Sequence, residues 1–250
     1  MQGASPGRDF SSRGGRRGPL HRKPFMTPFR LVPRMPSCRL RTLATGRLLV
    51  LPGMLAGLLL GVPGLAPGEL AGQERPIILL DPGHGGAQAG VVVGDLLEKD
   101  LVLRLAFITA AEFVKEGFDV RLTRTGDYAV PNDERRAQAE AAGAALFVSL
   151  HMIQSQDPTR HGAEIYFSQE VPASVRAAGI FAQAMEADGV VVVQEARTGA
   201  FLASPTVPTV MIEAGFLTHP VEQRFLTEDA YHRRLARVFV DAARRALGEG

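Results

Sequence analysis

"PIILLD", residues 76–81, is the stretch on which the fold turns. Its aliphatic residues run without alternation, which is how a strand covered on both faces reads. Such a strand belongs inside a mostly parallel sheet, between layers of helices. The run stops at Asp81, and "PGHGG" (82–86) follows, a loop of turn residues around His84. The histidine is either incidental to a tight turn or a metal ligand presented at a strand end. Glycine and proline there allow positive φ and close backbone approach, so the chain can turn sharply enough for the imidazole to face the strand edge.

Downstream, strand and helix patterns alternate. "KDLVLRLAFITAAEFVKE" (99–116) repeats its apolar residues every three or four positions, which predicts an amphipathic helix closed by Gly117. "FDVRLTR" (118–124) alternates as a strand. "PNDERRAQAEAAG" (131–143) predicts a helix capped by Asn132, with acids in its first turn and Gly143 at its end. "ALFVSLH" (145–151), "AEIYF" (163–167) and "TVMIEAG" (209–215) read as strands. Helices are expected at about 173–188 and 229–247. This order predicts one α/β domain: a twisted, mostly parallel sheet flanked by helices on both faces.

Upstream, charge is unevenly spread. The first 50 residues hold eleven Lys and Arg and the single acid Asp9; totals of 28 bases and 26 acids leave 17 and 25 in the other 200, a net of −8. The basic arm leads directly into "LLVLPGMLAGLLLGV" (48–62) and then a Gly/Pro-rich linker. Basic, apolar, then small residues is the layout of a secretory signal peptide. The uncharged run 48–68 is just long enough for a membrane anchor, against which its Gly and Pro content argues. The expected organisation is a structureless basic arm over 1–47, a signal segment (or anchor) and linker over 48–72, and a catalytic domain over 73–250. Met26 and Met35 are alternative starts. No nucleic-acid partner is expected, and membrane contact only through an uncleaved anchor. Cys38, the sole cysteine, lies upstream of the apolar run, so the exported part uses neither disulfides nor thiolate chemistry.

Open α/β sheets place ligands beyond the carboxyl ends of their strands. His84 follows the first strand, His151 ends another, and Glu213 ends a third. Glu98 sits before the first helix, within reach of the same edge. A carboxylate ending an apolar strand is costly without a partner, which makes Glu213 conspicuous. Taken alone, these residues suit a catalytic zinc, with His84, His151 and Glu213 as three ligands and Glu98 acting on the water. "HGG" could also cradle a phosphate, but a P-loop is not expected, since no glycine-rich turn here precedes a Lys-Ser/Thr pair. His161 and His219 flank loops near this edge without an assigned role, and His232 is expected on a solvated helix face.

"LLDPGHGG", "LLEKDLVLRLA", "RLTRTGDYAV…ERRAQAEAAGAALFVSLH", "GAEIYF" and "PTVMIEAGFLTHPVEQRFL" occur in order and resemble the zinc-dependent N-acetylmuramoyl-L-alanine amidases of bacterial cell-wall turnover, the amidase-3 group. The resemblance runs from about Pro76 to the C-terminus and reverses the two glutamates. It implies Zn2+ held by His84, Glu98 and His151, Glu213 as the catalytic residue, and peptidoglycan as substrate. Arg135 matches a recurrent family arginine, for which a substrate contact and a helix-surface ion pair are both open. "SLHMIQSQ" departs from the family: Met152 and Ile153 stand where a small-polar pair is usual, leaving Gln154 or Gln156 to supply an amide. Some members cover the zinc with a long helical insertion before the last glutamate strand. Here Phe167 to Thr209 leaves room for one helix and a short segment, so an open site with no obligatory activator is expected. The rival readings are another zinc peptidase or deacetylase of the wall, and a catalytically silent wall-binding module.

Overall fold

The computed structural model describes residues 75–198, 204 and 206–248. The expectations for the basic arm and the signal or anchor segment lie outside the described residues. Among those described, no helix is long and apolar enough to cross a membrane.

β1 (Ile77–Pro82) is the run that opens the sequence argument, and it is buried from Ile78 onward. Its alternate residues serve two cores: Ile78 and Leu80 join the larger cluster, and Leu79 the smaller. A short hairpin of β2 (Val92–Val93) and β3 (Leu96–Leu97) leads into α1 (Glu98–Lys115). That helix buries Leu101, Val102, Leu105, Ala106, Thr109 and Phe113, a stripe at helical spacing. It ends where Gly117, at φ 93°, turns the chain so that the Phe118 amide reaches the Phe113 carbonyl at 3.2 Å.

The remaining elements are β4 (Asp119–Leu122), α2 (Asn132–Ala142), β5 (Leu146–Ile153), β6 (Ala163–Phe167), α3 (Pro172–Ala187), β7 (Val192–Ala196), β8 (Thr209–Phe216), α4 (Pro220–Leu226) and α5 (Asp229–Leu247). The six-stranded sheet has the order β4-β1-β5-β8-β6-β7, parallel except where β6 meets β8. It is thus the mostly parallel α/β sheet expected. The two faces are unequal. α1, α3 and α5 contribute to the large core, whereas α2 supplies Ala139 to a small one with Leu79, Phe147 and Val207.

Three details differ from the sequence reading. Asn132 is the first helical residue of α2, and Pro131 occupies the cap position with no side-chain cap bond. The hairpin and α4 carry too few residues for a period to show, and β7 is an exposed edge strand whose "VVQEA" lacks an apolar alternation. His232 is not solvated: it is fully buried in α5, with Nε2 2.8 Å from the Leu226 carbonyl, and burial pushes its pKa down, favouring the neutral ring.

Phe239 of α5 is fully buried with its ring centroid 6.0 Å from that of Phe181 in α3. Phe239→Ala removes the contact that ties these helices and is expected to cost about 3–5 kcal/mol of stability. Denaturant unfolding measures it; a loss below about 1 kcal/mol would mean the helices repack around the cavity.

Candidate functional site

His84 hangs on a loop whose shape is forced. It has a φ of 59°, the only positive value for a non-glycine among the described residues, and Gly85 (122°) and Gly86 (59°) follow in the same region. A side chain in the left-handed region is strained by roughly 1–2 kcal/mol, so surrounding bonds must hold it there.

Two buried arginines do so. Arg124, just past β4, donates to the carbonyls of Pro82 (2.9 Å), Gly83 (2.8 Å) and Lys99 (2.7 Å). Arg135 of α2 donates to the carbonyls of Pro82 (2.9 Å) and His84 (2.7 Å) and pairs with the Asp81 carboxylate. Asp81 is itself fully buried and also accepts from the hydroxyls of Thr123 and, at 2.6 Å, Ser149. From the solvent side, Asp127 accepts from the Gly86 amide (2.7 Å) and pairs with Lys99 (2.8 Å), which also donates to the Gly86 carbonyl (2.9 Å).

Glu98 opens α1, delivered by the hairpin, and is 1% exposed. Its Oε1 lies 3.0 Å from His84 Nε2 and 3.1 Å from His151 Nδ1, and it accepts the Met152 amide at 3.0 Å. Its Oε2 accepts the Val91 amide at 2.8 Å. Burial raises the pKa of this carboxyl, but the hydrogen bonds from His151 and His84 outweigh it and hold the group down to about 2.

Two nitrogens and one oxygen therefore converge, all within 4.8 Å of one another. Tetrahedral ligands at zinc distances of 2.0–2.1 Å sit roughly 3.3 Å apart, close to the 3.0 and 3.1 Å from Glu98 Oε1 to the two imidazole nitrogens. The donor set fits a zinc-sized cation with a fourth position open. It is Glu98, not Glu213, that meets both imidazoles, so the geometry favours the assignment implied by the resemblance over the one read from strand ends alone.

Glu213 stands opposite His151 in the β5–β8 register. Its Oε2 is buried and without a hydrogen-bond partner. Burial, then the negative charges of Glu98 and Glu164, push its pKa up to about 8. A buried carboxyl with one oxygen unpartnered, across from a metal-competent histidine, is a group chemically able to take up and release a proton.

The other sequence candidates fall elsewhere. Arg135 is 2% exposed beneath the His84 loop, so it is neither a helix-surface ion pair nor open to a substrate. Gln154 is exposed just beyond β5. Met152 is 2% exposed with its side chain in the large core, so of the departing pair it contributes only its amide, whereas Ile153, two residues past His151 in β5, stays partly exposed. Sequence reasoning missed Asp81, Arg124 and Lys99. In the structure Glu213 lies inside β8 rather than at its end, and Asp81, likewise a carboxylate set in an apolar strand, carries the same signal in the sequence.

Space around the trio is tight. A Cβ on Gly83 would fall among the ring atoms of His151. Gly83→Ala is therefore expected to displace that imidazole and weaken metal binding about 10- to 100-fold, the range seen when groups orienting a ligand are disturbed. Competition against a chromophoric chelator reads this directly; an unaltered affinity would remove His151 from the ligand set.

An open α/β sheet with a His/Glu/His cluster and an unpartnered acid near its carboxyl edge has the donor set that a metal-assisted hydrolase would use. Comparison with known proteins narrows the class. A family model described as N-acetylmuramoyl-L-alanine amidase matches residues 78–245, and the chain belongs to that family. It is 27% identical to the N-acetylmuramoyl-L-alanine amidase AmiA of Escherichia coli, covering 79% of this chain and 90% of that one. To AmiC of Neisseria meningitidis it is 26% identical over 72% of this chain, spanning 55% of the relative's length. Among solved structures, the amidase AmiC2 of Nostoc punctiforme superposes with a TM-score of 0.64 at 25% identity, over 69% of this chain and 97% of that one. The catalytic domain of CwlV from Bacillus (Paenibacillus) polymyxa shares the fold, with a TM-score of 0.64 at 24% identity over 70% and 99%.

Proposed function

We propose that this chain is an exported, zinc-dependent amidase that hydrolyses the bond between the lactyl group of N-acetylmuramic acid and L-alanine of the peptidoglycan stem. The observation that carries this reading is the convergence of His84, Glu98 and His151 beside the orphaned carboxyl of Glu213, in a chain of this family. Imidazole and carboxylate donors suit zinc. When bound, zinc supplies a Lewis acid for the amide carbonyl and lowers the pKa of the attacking water.

The rest of the chemistry belongs to the chain's own groups. Glu213 takes a proton from the attacking water as the water oxygen bonds to the carbonyl carbon. The same carboxyl then passes that proton to the alanine nitrogen as the C–N bond breaks, leaving a lactyl carboxylic acid and a free amine. The Met152 and Val91 amides fix the Glu98 carboxylate so that Oε1 faces both imidazoles. Arg124 and Arg135 hold the loop that aims His84.

A wall peptidase or deacetylase built on a remodelled "HMIQ" segment is less supported, because the chain matches the amidase family along residues 78–245. A silent binding module would not need all four residues assembled. Peptidoglycan is the proposed partner; the net negative charge of the domain gives no general attraction to an acidic wall polymer, so recognition falls to local contacts at the site. Between β6 and β8 the described residues form α3, packed into the large core, and β7. The enzyme is accordingly proposed to need no activator. Export rests on the segment 48–62, and N-terminal sequencing of the secreted protein tests it.

Digestion of purified peptidoglycan with the full chain, followed by mass analysis, decides the reaction. Stem peptides with a free N-terminal L-alanine are expected, lost on chelation and restored by zinc. Cleavage at another bond, or none with zinc present, refutes the proposal.

A further inference from the structure

The face of the sheet that carries Glu213 continues as a row of polar groups leading away from the metal trio. His151 is opposite Glu213 across β5 and β8, and Glu213 is opposite Glu164 across β8 and β6. Side chains directly opposite each other share a face, and so do residues two apart on one strand. Tyr166 therefore joins the row, and its hydroxyl donates to Glu164. Arg197, one residue past β7, lays its guanidinium over the Tyr166 ring, 3.4 Å from the centroid.

Two arginines border this row, in different states. Arg160 is committed: its Nη2 lies 2.6 Å from Glu164 Oε1, and its guanidinium sits 4.9 Å from the Phe216 centroid. Arg197 meets Glu195 at 3.6 Å, beyond a good hydrogen bond, and its side chain is 48% exposed. A guanidinium stacked on an aromatic face keeps its edge of N–H donors free for a planar anion. Arg197 also acts on Glu213 as a cation opposing the effect of burial, Glu98 and Glu164, which places it within electrostatic range of the proposed acid/base.

Resting on the amidase reading, we infer that Arg197, seated on Tyr166, is the subsite for a stem-peptide carboxylate two residues past the scissile bond, the α-carboxylate of the isoglutamyl residue. The reach agrees. Adjacent strands lie about 4.8 Å apart, so a group over β6 and the end of β7 is roughly 5–10 Å from Glu213. An extended peptide advances about 3.3–3.6 Å per residue, which puts that carboxylate roughly 7–8 Å from the reacting carbon. The sign agrees as well. Glu164 and Glu195 make this wall acidic, and a substrate carboxylate enters only where a cation answers it.

The test uses two muramyl tripeptides identical except that one carries D-isoglutamate and the other its α-amide, D-isoglutamine. The wild-type full chain, loaded with zinc, is expected to show a KM about 10- to 100-fold lower for the carboxylate, the range of a hydrogen bond to a charged group. Arg197→Gln erases that ratio by raising the KM for the carboxylate, and Arg197→Lys restores part of it. Equal KM values in the wild type, or a preference that survives Arg197→Gln, overturns the subsite. The corresponding free stem peptides, titrated by calorimetry, give the same ratio without turnover. A carboxylate preference in binding that is lost in Arg197→Gln, with no cleavage of either muramyl substrate, retains the subsite and refutes the amidase reading. Equal binding of both peptides overturns the subsite whatever the activity.

Discussion

Glu213→Gln is expected to bind a full equivalent of zinc and to hydrolyse its substrate about 10²–10⁴-fold more slowly than the wild type. The amide is nearly isosteric with the carboxyl but cannot accept the proton of the attacking water. Nothing in the ligand set changes, because Glu98 and not Glu213 meets the two imidazoles. Glu98→Ala is expected to do the reverse first, purifying with little metal, since two histidines alone hold a catalytic zinc poorly. Its activity falls in proportion to occupancy. Metal analysis and amide-cleavage rates on the same preparations separate the two carboxylates. Full zinc in Glu98→Ala, or near-normal rates in Glu213→Gln, would mean that their roles are exchanged.

The second large effect lies beneath the metal loop. Asp81 and Arg135 form an ion pair with side chains 0% and 3% exposed. Removing one partner of a buried pair leaves the other charge uncompensated, a loss of roughly 3–5 kcal/mol. Arg135→Met is therefore expected to lower stability by that amount and to free the His84 carbonyl, loosening the strained loop. Asp81→Asn should be similar, because the charge is lost and the one remaining carboxamide oxygen cannot serve Thr123, Ser149 and Arg135 as the two carboxylate oxygens do. The double variant Asp81→Asn/Arg135→Met should be less destabilised than the two singles added together, since no lone charge is left. Denaturant unfolding of the three proteins gives the coupling, and zinc affinity shows whether the loop has moved. Additive losses would mean that the pair is not a unit.

How much of this was legible beforehand varies with the residue. The strand 163–167 and the helix 229–247 were read to the residue, because hydrophobic period and length are local properties. The hairpin that carries Glu98 inward has two-residue strands and shows no period, so Glu98 could be placed only near the edge. His232 was misread because a polar helix neighbourhood conceals which side meets another element. Arg135 was misread for the same reason: "ERRAQA" looks like a solvated face until α2 is laid over the end of β1.

The sequence by itself determined the alternation of strands and helices, the mostly parallel sheet, and the gathering of His84, His151 and Glu213 at one edge. These follow from periodicity and from the rule that fixes which strand ends bear the ligands. Only the tertiary structure decided which glutamate meets the imidazoles. It also decided that Met152 turns inward while its amide serves Glu98, and that Asp81, Arg124 and Arg135 support the loop. Each of these depends on contacts between residues well apart in the chain, from 14 positions (98 − 84) for Glu98 and His84 to 68 for Asp81 and Ser149. Hydrophobic pattern records whether a position is buried, but not which partner it meets; that is set by strand register and helix placement across the whole domain.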